Sequence, residues 1–230
     1  MKSTKLGFTL AEILITLGII GIVAAMTIPT LMTKLKYKRE AALLKENYSI
    51  LQQMMLRAND EGAMSALPHS DSMLQLKNWF TTYMLPHVKV SKVCYGTKGC
   101  WSQNAKNSSG QIYVSNEHCG NGDVSFILFN GTTVCLDDFA DSRFGVIGDG
   151  GTMVGLLVDV NGNAKPNKFG EDIFAFVFRD NELLPGGYDM TSEQVEQNCS
   201  EKSTSYFGGT YCMQKVIKSG YKLPVLNKNW

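Results

Sequence analysis

Residues 7–32 read Gly7-Phe8-Thr9-Leu10-Ala11-Glu12-Ile13-Leu14-Ile15-Thr16-Leu17-Gly18-Ile19-Ile20-Gly21-Ile22-Val23-Ala24-Ala25-Met26-Thr27-Ile28-Pro29-Thr30-Leu31-Met32. The 25 residues from Phe8 to Met32 carry one formal charge, Glu12. As a helix they reach roughly 37 Å, more than the hydrocarbon core of a bilayer at about 30 Å. In front stands Met1 to Gly7, short, free of acids and carrying Lys2 and Lys5, which has the character of the n-region of an export signal. Two fates are open to such a segment. It can be removed after Val23-Ala24-Ala25, where small residues suit signal peptidase, or it can be kept as an anchor. Glu12 argues for keeping it. A carboxylate inside an apolar span costs about 2.5–3.5 kcal/mol on insertion scales, so a disposable segment has no reason to carry one.

The rest of the composition narrows the field. The chain has 230 residues, 44% hydrophobic and 19% charged, with a net charge of +1. That is one ordinary domain plus an appendage. It is too neutral for a protein whose main task is gripping phosphate backbones, so no contact with nucleic acid is expected. Six cysteines with no Cys-x-x-Cys fit structural disulfides formed in an oxidising compartment.

The run Gly7-Phe8-Thr9-Leu10-Ala11-Glu12 resembles the prepilin signature of type IV pilins and type II secretion pseudopilins. The resemblance implies cleavage by a prepilin peptidase at Gly7–Phe8 and methylation of the new amino terminus on Phe8. The family's acid at the fifth mature position falls on Glu12 and its helix proline at the twenty-second on Pro29. It further implies assembly with other pilin or pseudopilin subunits on an inner-membrane platform.

The motif also has a physical logic of its own. Cleavage leaves a cationic amine on Phe8 near the membrane, and Glu12 of a neighbouring copy is its counter-charge in the same apolar layer. Pairing cancels two burial costs and fixes the axial stagger between subunits. Pro29 removes the hydrogen bond to the Ala25 carbonyl and should kink or loosen the helix. Gly18 and Gly21 permit close helix contact but are a weak signal. One feature opposes the expected orientation: Lys34, Lys36, Lys38 and Arg39 after the span outnumber Lys2 and Lys5 before it, against the positive-inside rule.

Beyond the span, Tyr37, Ala41, Leu44, Tyr48, Leu51, Met55 and Ala58 form one apolar helical stripe, with Gly62 as the stop. A helix is predicted around Ser72 to Tyr83, with Leu74, Leu76, Trp79 and Phe80 as its apolar residues. From Gln111 the pattern turns to period two. Ser125 to Phe129 and Thr132 to Leu136 flank Asn130-Gly131, a hairpin signal in which both residues accept positive φ. Thr152 to Val160 and Ile173 to Arg179 are further strands, with Phe174, Phe176 and Phe178 on one face of the second.

Between those last two strands, Asp159, Asn161 and Asn163 repeat at the spacing of a calcium loop, and Asp172 can close the shell. Gly170 occupies the twelfth position where an EF-hand needs an acid, so this is not an EF-hand. The competing reading is a long hairpin connection in which Asn and Gly take left-handed conformations and Asp172 bonds a backbone amide. For the cysteines, near-neighbour pairing predicts Cys94–Cys100, Cys119–Cys135 and Cys199–Cys212 among 15 arrangements. Catalysis has no visible home: His69, His87 and His118 are scattered, and no hydrolase, P-loop or dinucleotide motif is present.

The sequence therefore predicts an α+β, pilin-like fold. A leader (1–7), a transmembrane and assembly helix (8–32) and an amphipathic stem (33–62) precede a disulfide-containing head (63–230) with antiparallel strands. The expected function is that of a filament subunit and not of an enzyme. A type II secretion pseudopilin comes first and a minor pilin for adhesion, motility or DNA uptake second, the last being the one case that would involve nucleic acid. An alternative of another class is a single-span envelope protein whose head binds a ligand. The expected location is the inner membrane, in contact with lipid, with a cytoplasmic amino terminus and the head periplasmic or extracellular. Calcium is the one cofactor considered.

Overall fold

The fold is described from a computed structural model, for residues 7, 9–68, 73–101, 104–112, 124–137, 142–147, 153–223 and 226. It has a long amino-terminal helix and a six-stranded antiparallel sheet, an α+β pilin-like arrangement. The chain divides into two compact units, Met1–Arg39 and Glu40–Trp230.

Helix α1 runs Leu10–Asp60 and passes through Pro29 as one element. In the first unit its apolar side chains are exposed on every side, Leu17 and Ile20 among them. No face is set apart for a core, because the sequence there is apolar all round. Its end, in the second unit, is chemically defined. Gly62 takes φ +89°, its N–H reaches Asn59 O at 2.9 Å, and Ala63 N–H reaches Ala58 O at 3.1 Å. This Schellman arrangement satisfies orphan carbonyls and needs a residue tolerant of positive φ at 62.

In the second unit α1 buries Glu40, Leu44, Asn47, Leu51, Met54, Met55 and Ala58. Leu44, Leu51, Met55 and Ala58 of the expected stripe are buried, Ala41 and Tyr48 are half-buried, and polar Glu40 and Asn47 also lie on the seam. The reason is hydrogen bonding. Asn47 donates to Thr132 Oγ1 at 2.7 Å and accepts from Asn130 Nδ2 at 2.8 Å, so its burial is compensated.

The strands are β1 (Val90–Tyr95), β2 (Val124–Leu128), β3 (Thr133–Asp137), β4 (Val154–Asp159), β5 (Ile173–Arg179) and β6 (Glu182–Pro185), paired in chain order. Phe176 meets Tyr48 of α1 at 6.0 Å between ring centres, so the face carrying Phe174, Phe176 and Phe178 is the helix side. The opposite face is also covered. Ile173, Ala175 and Val177 join Leu157, Cys135 and Leu184 in a second core closed by Trp101, Phe144 and Phe169. Strands buried on both faces read as continuous apolar runs, which is why β4 and β5 are buried almost throughout.

The Asn130-Gly131 hairpin forms, but its turn differs from expectation. Only Gly131 has positive φ, and the Asn130 side chain instead accepts from Thr132 N at 3.1 Å. The two-residue turn with positive φ at both positions is Asp180-Asn181, between β5 and β6. The predicted 72–83 helix is α2 (Met73–Trp79) followed by a π-helical turn, Phe80–Met84. Leu76, Trp79 and Phe80 are buried there and Leu74 is exposed. Helices α3 (Ser192–Asn198) and α4 (Cys212–Lys218) close the chain.

Disulfides join Cys94 to Cys100 and Cys199 to Cys212, with Cα separations of 5.9 Å and 4.9 Å. Cys119, the expected partner of Cys135, lies outside the described residues.

Candidate functional site

Two places carry the residues that sequence singles out, one in each unit. In the first, Gly7 is exposed and Phe8 lies outside the described residues. Thr9 and Glu12 form a capping box at the start of α1. Thr9 N–H donates to Glu12 Oε2 at 2.8 Å and Glu12 N–H to Thr9 Oγ1 at 3.2 Å. The Thr9 hydroxyl adds a bond to the same carboxylate oxygen at 2.8 Å. Two orphan donors of the helix amino terminus are thus satisfied, and the carboxylate sits where the helix dipole favours it. This box goes beyond what was expected of Glu12, although Thr-x-x-Glu ahead of an apolar run is its signature. Thr9 and Glu12 are both exposed, as are Gly18, Gly21 and Pro29. A methyl group on either glycine would meet no atom within 4 Å beyond its chain neighbours and the adjacent backbone of its own helix. Helix α1 is long and apolar enough to cross a membrane.

The second place is the β4–β5 connection. Asp159 and Asp172 are fully buried, and Glu40 of α1 is 3% exposed. Asn161 ties them together: its N–H donates to Asp159 Oδ1 at 3.3 Å, and its Nδ2 to Asp172 Oδ2 at 3.1 Å and Glu40 Oε1 at 2.9 Å. Asp172 also clamps the connection, accepting from Asn167 N at 2.9 Å and Lys168 N at 2.6 Å. Asn163 is exposed. Gly162, Asn167 and Gly170 have positive φ, so Gly and Asn here take the left-handed conformations that a long hairpin connection uses.

Burial dominates the electrostatics of this cluster. It pushes Asp159 up to about 9, with the Asp172 charge adding to it, against one backbone N–H that favours the anion. Asp172 is pushed up to about 6, held lower by the Lys168 and Asn167 N–H groups. Of the four expected oxygen donors, the fold brings Asp159, Asn161 and Asp172 together. It adds Glu40, 119 residues before Asp159, which no loop spacing could reveal. Among the described residues no three His, Cys, Asp or Glu side chains are arranged as a metal site.

Of the three histidines, His87 lies 3.2 Å from Glu61, and His69 and His118 are outside the described residues. An open cleft beside α3 is lined by amides and hydroxyls such as Gln194, Ser203 and Tyr211, with Lys202 its charged member.

Comparison with known proteins bears on the first place. Residues 2–28 match the prokaryotic N-terminal methylation motif. No curated protein and no solved structure matches the chain. The motif coincides with the exposed apolar part of α1 and its capping box, and it fits a membrane-anchored amino terminus. It supports a prepilin-type, type IV pilin-like protein and implies processing by a prepilin peptidase and assembly with other pilin subunits.

Proposed function

We propose that this chain is a structural subunit of a type IV pilus-like filament, with a type II secretion pseudopilin as the first choice and a minor pilin as the second. The peptidase cleaves after Gly7 and methylates Phe8. Residues 8–32 then anchor the subunit in the inner membrane and later join the filament, 33–62 form the stem, and 63–230 the head on the far side of the membrane. One observation carries the reading: the methylation motif falls on a helix whose apolar surface is exposed all round. Such a surface is stable only in lipid or against other copies.

Glu12 has a defined role in this scheme. Before assembly its carboxylate caps its own helix through Thr9. In the filament it exchanges that local partner for the amine of a neighbouring Phe8, in a layer where either charge left alone is costly. The test is the amino-terminal mass of membrane-extracted protein made with and without a prepilin peptidase. A chain beginning at Phe8 with one extra methyl, seen only with the peptidase, is the expected result. A chain beginning at Met1 or Met26 in both cases sinks the proposal.

The head carries a separate reading, calcium held by Asp159, Asn161 and Asp172, the three of the four expected donors that the fold brings together. Hard oxygen donors suit this ion, and the Asp159 and Asp172 carboxylates are buried and both bonded to Asn161. Asn161 would then present its oxygen, a half-turn of an amide whose two ends have the same shape. Calcium binding should raise the melting temperature of the full chain relative to chelator, and equal temperatures would refute it.

A further inference from the structure

The filament reading leaves one feature unused: the basic residues that violate the positive-inside rule. No acid occurs from Ile13 to Arg39, and Lys34, Lys36, Lys38 and Arg39 follow the apolar run within a few residues. All four are exposed on α1. Counting from Met32 at the rise of a helix, they stand about 3 to 10 Å beyond the apolar segment. The headgroup region on each side of a bilayer is roughly 5–8 Å deep. Their distribution around the axis is equally telling. Taking Lys34 as zero, Lys38 falls at about 40°, Arg39 at about 140° and Lys36 at about 200°. A protein partner docking on one side would select a stripe. The four spread over about 200° of the circumference, about twice the width of a one-sided helical face, a partial collar that suits a planar layer of anions.

We propose that this collar binds anionic phospholipid headgroups, of the phosphatidylglycerol class, in the leaflet on the head's side of the span. The inference rests on α1 being a membrane anchor. Charge complementarity supports lipid over a second copy of the span, because the exposed helix of another copy offers Glu12 as its one acid between residues 7 and 39. The collar then fixes the depth at which the subunit waits in the bilayer. Entry into the filament must release these headgroups.

The experiment uses the full chain in phosphatidylcholine vesicles with and without phosphatidylglycerol. Flotation first reports whether the chain is anchored. Spin-labelled lipids of each class then report which one the protein restrains. The expected result is a preference for phosphatidylglycerol of about three- to tenfold at low salt, falling toward one in about 1 M NaCl. The variant K34Q/K36Q/K38Q/R39Q should lose the preference, while K34R/K36R/K38R should keep it. Inorganic phosphate should compete no better than chloride of equal ionic strength, and strong competition would mean a free-phosphate site and overturn the lipid assignment. A floating chain with no preference, or a quadruple variant that retains it, overturns the collar and leaves the anchor standing. A quadruple variant that keeps the preference but no longer associates with other copies makes the basic residues a protein contact. A chain that fails to float refutes the anchor and the collar together.

Discussion

Helix α1 has two halves that answer to different solvents. In the first unit Leu14, Leu17 and Ile20 are each about 60% exposed, whereas Leu44, Leu51 and Met54 in the second unit are fully buried. The residue types hardly differ. What differs is the arrangement: an apolar surface without a polar face before Lys34, and a narrow seam flanked by charged residues after it. The second half finds its partner in the chain's own sheet, through Tyr48 on Phe176 and Asn47 on Thr132. The first half has no such partner within its own unit. One helix thus carries two kinds of apolar surface, one matched by a sheet and one left exposed.

The sharpest way to break this comparison is Glu12→Ala. If the first half exists to join other copies, the variant should still be cleaved and methylated yet be nearly lost from filaments, as read by quantifying subunits in sheared pili or pseudopili. The unpaired amine left in an apolar layer is the physical reason. Normal incorporation would remove Glu12 from the assembly mechanism, and absence of the unmutated chain from the sheared filaments would favour the single-span envelope protein.

Next in size is a matched pair of truncations. Leu51→Ala opens a cavity between helix and sheet and should cost about 2–5 kcal/mol of head stability, measured by thermal or denaturant unfolding of the full chain. Leu17→Ala removes a side chain that touches no core and should leave the same transition in place. Equal losses at the two positions would mean that the halves are not energetically distinct.

How much of this was readable follows the same division. The apolar helix and its stop at Gly62 were legible because each rests on local chemistry: an apolar run and a residue free to take positive φ. Strand β5 was bounded at Ile173 and Arg179 because its residues are β-branched or aromatic almost throughout. Strands β1 and β6 were missed for opposite reasons. Val-Ser-Lys-Val-Cys-Tyr is half-exposed at the sheet edge and shows no clean alternation, while Glu-Leu-Leu-Pro is too short to give a periodic signal. The second core was hidden because Trp101, Phe144 and Phe169 come from separate irregular segments. The polar seam was hidden for a deeper reason. Glu40 and Asn47 look like solvent-facing residues until Asn161 and Thr132 arrive from strand ends more than eighty residues away.

That seam gives the smallest effect and the finest test of what the second half of α1 packs against. Asp159 has an ordinary value of 3.8 and stands at about 9 in the fold, and Asp172 moves from 3.8 to about 6. Both shifts are upward, so between those values the folded chain holds protons that the unfolded chain has released. Stability supplied by these groups is therefore complete below about pH 4 and declines as pH rises, through about 6 for Asp172 and on toward 9 for Asp159. In chelator the melting temperature of the full chain should fall across this window, on the order of 2–4 °C for each kcal/mol lost in a chain of this size. Asp159→Asn keeps the shape and removes the titration, so it should flatten the slope above pH 6 while leaving the part below it to Asp172. A slope unchanged in D159N would mean that the Asp159 carboxylate is not driven toward its protonated form by burial. Added calcium should reverse the trend if the ion binds, because the anions it needs become more available as pH rises. The direction of one melting curve against pH, with and without the ion, thus separates a protonated clamp between stem and sheet from a metal-filled one.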